Sequence, residues 1–486
     1  MMKTKKLLSI LLTICMVTTL LPVSALADGA VSYLYYADEA AAIAGNTTPG
    51  SCTDYTVVGN QTAWGEAGKT KWYVVNSSVT IADRITASGD VRLILSNGCT
   101  LTASKGIGVT NGNSLTIYGQ SANESTMGAI DAQLGIQNVY NYLAAIGGGG
   151  SQNSSGQITI NGGKITAKGG TNAAGIGGGK DESGTVTING GFITATSQYN
   201  NATPGAAIGG GNNGSGTVTI NGGHVVATGG QSSAGIGSGY AASATVTING
   251  GIIEAHGGAG AAGIGSGKYW NDTSTTRHAT VFIHGGTVVA DTKSPMYNTD
   301  GSAAIGGGAH SQGFVTIDGG HVTATAPKNC TCIGNYEVNY GKTGSVTITG
   351  GVITAQLDSS VQASDTYYGI GGAGCSVTLG WTNASDSITA PAWGKQGNNI
   401  PPRDNGVTFV DGKSFQYQDT HTLAEAASLR NSATLIPFTP AAQDNVEQAD
   451  VSGVRAWYRY TGSAIKPEPV VTYAGTTLTN GTDWSC

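Results

Sequence analysis

Thr185-Val186-Thr187-Ile188-Asn189-Gly190-Gly191 is spelled again, letter for letter, at 217–223 and at 245–251. Variants of it stand at Ile158–Gly163, Val281–Gly286, Val315–Gly320 and Val346–Gly351. Apolar and polar residues alternate at period two, which is a strand signal, and the β-branched residues suit a pleated surface. Before each copy comes a small-residue phrase ending in Ile-Gly, at Ile146, Ile176, Ile208, Ile236, Ile264, Ile305, Ile333 and Ile370. After each Gly pair comes a third short phrase, such as Phe192–Thr196 or His321–Thr325. The units recur every 28 to 41 residues. Self-similarity of this kind marks a stacked architecture.

Helices are excluded from this region, because Gly costs about 1 kcal/mol per residue in a helix interior. A single unit cannot bury its own Ile and Val, whereas stacked units bury them in one continuous core. The expected fold is all-β: a right-handed parallel β-helix, one coil per unit, with neighbouring coils about 4.8 Å apart. Ile160, Ile188, Ile220 and Ile248 would form an inward column. Asn161, Asn189, Asn221 and Asn249 would form a corner column whose amides bond along the axis as a ladder.

The chain has 486 residues, of which 78 are Gly and only 11% are charged. Residues 1–27 read as a secretory signal: Lys3, Lys5 and Lys6, an apolar run from Leu7 to Leu21, and the small-residue site Ala25-Leu26-Ala27. Cleavage between Ala27 and Asp28 would remove three of the 23 basic residues and no acid, leaving 20 against 29, a net charge of −9. A mildly acidic, charge-poor chain excludes nucleic acid as the natural partner, and no second stretch could span a membrane. Export permits disulfides. Cys52 with Cys99 is one candidate staple, and Cys332 is expected to replace an inward Ala as a small hydrophobe.

Residues 28–143 read as an N-terminal cap and the first, atypical coils, with a strand near Tyr33–Tyr36 and a helical turn near Ala44. Residues 144–381 are the regular coils. The two long gaps would carry loops, the first holding Lys268–Asp272 and Asp291–Asp300, the second Leu357–Tyr368. Residues 382–453 read as a C-terminal cap or linker, with a capping box at Thr422–Glu425 opening a short helix to about Arg430. Residues 454–486 read as the start of a β-sandwich that is cut short.

Enzymes of this architecture need converging carboxylates. The Asn column changes to His284, Asp318 and Thr349, which would set His284 beside Asp318 on adjacent coils. Glu254 and His256 would share one strand face. Both sets read first as solvated side chains, so no residue is assigned to catalysis, to a cofactor or to a metal. Aromatic faces stack on sugar rings, which makes Tyr269, Trp270, Tyr367 and Tyr368 candidate glycan contacts. Phe282, in the outward position that Thr187, Thr219 and Thr247 hold elsewhere, could extend that patch. The outward Thr-x-Thr ladder of three coils also resembles ice-binding β-helices, but it fails at Phe282 and Phe314.

The repeated Ala-Ile-Gly-Gly-Gly and Thr-Val-Thr-Ile-Asn-Gly-Gly spellings, with Trp72–Val75 and Leu93–Thr102, resemble Gly-rich β-helix repeat surface proteins of Gram-positive, Clostridia-like bacteria. The segment from Tyr460 to Asp483 resembles the start of a bacterial Ig-like surface module, with Trp484 where that family carries Tyr. The resemblance implies an exported or cell-surface protein and brings no catalytic residue with it. The expected function is a non-catalytic β-helical adhesion or structural protein whose partners are host or environmental glycans or surface proteins. The alternative is a polysaccharide lyase or glycoside hydrolase of the same architecture.

Overall fold

The computed structural model describes residues 29–135, 142–150, 154–198, 203–269, 277–295, 300–336, 343–359, 361, 368–372, 374–391, 407–417, 433–438, 450–452, 470–473 and 476–478. The chain divides into two compact units, residues 1–437 and 438–486. The first is a right-handed parallel β-helix. The second contains a three-stranded antiparallel sheet of Asp450–Ser452, Val470–Tyr473 and Thr476–Leu478.

Each regular coil has three strands. The Ile-Gly phrase is a two-residue strand, paired in register from Ile107 through Ile146, Ile176, Ile208, Ile236, Ile264 and Ile305 to Ile333 and Ile370. The second phrase pairs in the same way from Leu93 and Ile117 through Ile160, Ile188, Ile220, Ile248, Ile283 and Ile317 to Ile348 and Leu379. The third aligns Leu101, Ile130, Ile165, Ile193, Val225, Ile253, Val288, Val322, Ile353 and Ile388. Nearly all of these side chains are fully buried in one continuous core. Removing an Ile or Val of this size from water stabilises by about 1.5–3 kcal/mol, and the same gain repeats at every coil.

Two glycine positions set the coil spacing. In the Ile-Gly phrase, Gly209 has φ 128°, and a Cβ there would stand 1.9 Å from the Gly237 carbonyl oxygen of the next coil. At the corner, Gly191 has φ 97°, while a Cβ on its neighbour Gly190 would stand 2.2 Å from Tyr36 Oη. The first Gly of a pair is therefore required by close approach, and the second by a left-handed backbone.

The atypical coils are present: Ala63–Val75, Val79–Ile81, Ile85–Leu95, Thr100–Ala103, Ile107–Val109 and Ser114–Gly119 are strands of the same stack. The N-terminal segment forms a hairpin, Val31–Tyr35 against Thr48–Cys52, around the helix Glu39–Ala44. Asp38 caps that helix through its side chain, and Gly45 ends it at φ 71°. This segment lies along the flank of the solenoid as a strap. Its aromatic side chains cover Val74, Ile94 and Tyr118, three outward residues that form a second apolar cluster. Cys52 belongs to that cluster and Cys99 packs against the main core, so the two thiols are free and the expected staple is not formed. Cys332 is fully buried in the core, as expected, and burial pushes its thiol up to about 12.

Candidate functional site

The corner column is a hydrogen-bonded ladder. Asn189 Nδ2 donates to Asn161 Oδ1 at 2.7 Å, Asn221 Nδ2 to Asn189 Oδ1 at 2.8 Å, and Asn249 Nδ2 to Asn221 Oδ1 at 2.7 Å. Every rung points the same way, toward Asn161. The last amide, Asn249, also donates to Glu39 Oε1 of the strap helix at 2.8 Å. Below it the column changes chemistry, and His284 Nδ1 meets both Asp318 oxygens at 2.8 and 2.9 Å. Both side chains are 42% exposed. The Phe282 ring stacks on His284, with planes 8° apart and centroids 6.2 Å apart.

A second polar group lies on the outward face of the third strand row. His256 Nδ1 bonds Asp291 Oδ2 at 2.7 Å, and His224 Nε2 stands 3.7 Å from Glu254 Oε1. The hydrogen bond to Asp291 holds the His256 imidazole above its ordinary value, against partial burial. Sequence reading put Asp291 in a loop. In the structure it is a strand residue of Thr287–Lys293, opposite His256, because Thr287 to Asp291 continue the alternation of the coil before. Two His and two carboxylates thus share one face. Among the described residues, no three His, Cys, Asp or Glu side chains converge as metal ligands.

The aromatic candidates separate. Tyr269 is half-buried beneath the Arg277 guanidinium, whose carbon stands 4.6 Å from the ring centre. Trp270 and Tyr367 lie outside the described residues, as do Ala27 and Asp28. Phe282 is outward and half-buried, between Thr247 and Thr316 of the neighbouring coils. Tyr368 is not a surface residue: it is 6% exposed, in register with Thr331 and edge-on to Tyr336. Its ring is covered rather than presented to solvent, which removes it from the glycan contacts. Lys268 is buried as well, its ammonium 2.6 Å from Asp300 Oδ2.

Sequence reasoning missed the strap and what it encloses. Tyr33 packs on Trp72 and Tyr118 at 4.9 and 4.8 Å between ring centres, and Gln120 Nε2 donates to the Ser32 carbonyl. The signal was present in Val74, Ile94 and Tyr118, apolar residues standing where the later coils carry the corner Asn. Between the strap and the Gly-Gly corners runs a groove of about 330 Å³, lined in part by Leu34, Tyr36, Asn161, Phe192 and His224. A polar recess near Asp90 is wider, but its groups are spent on one another: Asp90 accepts from Thr70, Arg92 and Ser114. Arg84, deep between coils, gives its guanidinium to the carbonyls of Lys105, Ala144, Gly147 and Gly148. Burial lowers its pKa to about 10.

Comparison with known proteins finds no match among curated proteins and none among solved structures. A family model described as a beta helix repeat matches five stretches of this chain, at residues 158–180, 186–212, 218–240, 246–268 and 283–309, and these fall on the central coils of the stack.

Proposed function

We propose that this is an exported, non-catalytic β-helical protein of the cell exterior, serving in adhesion or as a stalk, with glycans as its principal ligands. The observation that supports this reading is the unbroken register of the core columns from Leu93 to Leu379, with Thr, Ser and Asn displayed outward. A rod of this kind holds a surface at a fixed distance and presents the same hydroxyl and amide groups at each coil. A second reading, polysaccharide cleavage, is favoured by one observation: His256 and Asp291 pair at 2.7 Å on the strand face that also carries Glu254. A base held by a carboxylate is the arrangement that proton abstraction needs.

One experiment separates the two. The purified protein is incubated with a panel of plant, bacterial and host polysaccharides, and both retention and newly formed chain ends are scored. Saturable retention with no new ends supports the adhesion reading. New ends that disappear in Asp291→Asn and His256→Ala would replace it with the enzymatic one.

A further inference from the structure

The groove under the strap is walled by aromatic rings, and one amide donor on its lining is unspent. The strap is held at one end by the Tyr33, Trp72 and Tyr118 rings and at the other by Glu39 on Asn249. Between these anchors it stands off the solenoid. The floor is the glycine of successive corners, where the backbone is bare. Tyr36 forms one wall, its hydroxyl seated over Gly190; Phe192 and His224, edge to face at 5.5 Å, form the other.

One polar side chain with a donor to spare lines this space. The amide ladder runs toward Asn161, which accepts from Asn189 while its own Nδ2 donates to no described residue. An amide at the donor end of a polarised chain is a stronger donor than an isolated one. His224 lends only its ring to the wall: its Nε2 is shielded from solvent and turned to Glu254 Oε1 at 3.7 Å. Among the described residues, no Asp, Glu, Lys or Arg lines the groove. A flat floor, aromatic walls and an amide donor suit a ring that is apolar on its faces and hydroxylated at its edge.

We propose that this groove binds a neutral sugar unit of a glycan chain, stacked against Tyr36 and Phe192, with Asn161 Nδ2 donating to a sugar oxygen. The proposal rests on the adhesion reading only in taking the ligand to be a glycan, and it names where that ligand sits.

The test is calorimetric titration of the whole protein with neutral tetrasaccharides of glucose, mannose, xylose and galactose, beside an acidic uronate oligomer and a short-chain acyl detergent. Two variants are used. Asn161→Asp keeps the acceptor for Asn189 and puts a charged acceptor in place of the donor, and Phe192→Ala removes one wall. The expected result is that at least one neutral oligosaccharide binds, and that each variant weakens it about tenfold with an unchanged melting temperature. Neutral sugar binding that both variants leave intact would overturn the groove assignment and spare the adhesion reading. Binding of only the uronate or the detergent, lost in Phe192→Ala, would overturn the neutral sugar as occupant. No binding of any sugar would overturn both the groove assignment and the glycan part of the adhesion reading.

Discussion

The same corner of the β-helix is built in two ways. In the coils of Asn161, Asn189, Asn221 and Asn249 it is a row of identical amides, in which Asn189 and Asn221 each donate and accept. In the coils of His284, Asp318 and Thr349 it is a histidine–carboxylate pair and then a hydroxyl. The backbone around the two is the same, with positive-φ glycines at Gly223 and Gly320 and core residues Ile220 and Ile317 in one column. The core therefore does not dictate the corner residue. The strap does so in part: its helix runs along the amide coils, with a Cβ on Gly222 lying 3.0 Å from the Ala42 carbonyl oxygen, and Glu39 closes on Asn249. The corners along the strap helix carry a neutral ladder, and the next two carry the exposed, ionisable His284 and Asp318.

The largest effect should be indifferent to this contrast. Ile220→Ala and Ile317→Ala each leave a cavity in the buried column and should each cost about 2–5 kcal/mol in urea denaturation. A marked inequality would mean that the two regions differ in their cores as well. Next comes Asn221→Ala. Asn221 is only 4% exposed, and its loss removes two rungs and strands the Asn189 acceptor, at about 1–3 kcal/mol. The matching change below, His284→Ala, breaks a solvated pair and should cost no more than about 1 kcal/mol. Equal losses from these two would erase the distinction between covered and exposed corners.

The smallest effect is a pH dependence on the neighbouring strand face. His256 is held above the ordinary histidine value of about 6.5 by Asp291, with Glu254 adding and Lys293 opposing. Its stabilising contribution is complete below that ordinary value and is lost as pH rises through the raised one. Melting temperature should decline slightly across this window in the native protein, and Asp291→Asn should flatten the decline.

The stack and the ladder were legible because both are periodic. A spacing of 28 or 32 residues between Asn161, Asn189, Asn221 and Asn249 leaves one stacked solution, and the His284–Asp318 pair follows from it. What was not legible depends on contacts between distant, non-repeating segments. Nothing in Tyr33 or Glu39 states that they lie against residues some forty to two hundred positions on. Asp291 and Tyr368 were misplaced for a related reason: each borders a long insertion, where period alone cannot say whether the strand has ended.

The one-way ladder has an evolutionary consequence. A coil inside the amide run, that of Asn189 or Asn221, takes a hydrogen bond from the coil after it and gives one to the coil before. Copying such a coil in place leaves no orphan on either side, so tandem duplication can lengthen this stretch at little cost in folding. The His284 coil lacks that property, since a second copy would set one imidazole against another and leave only the last with a carboxylate. Growth by duplication is therefore open among the amide coils and obstructed below them, and the run of nearly identical spellings from Thr185 to Gly251 is the pattern that such growth would leave.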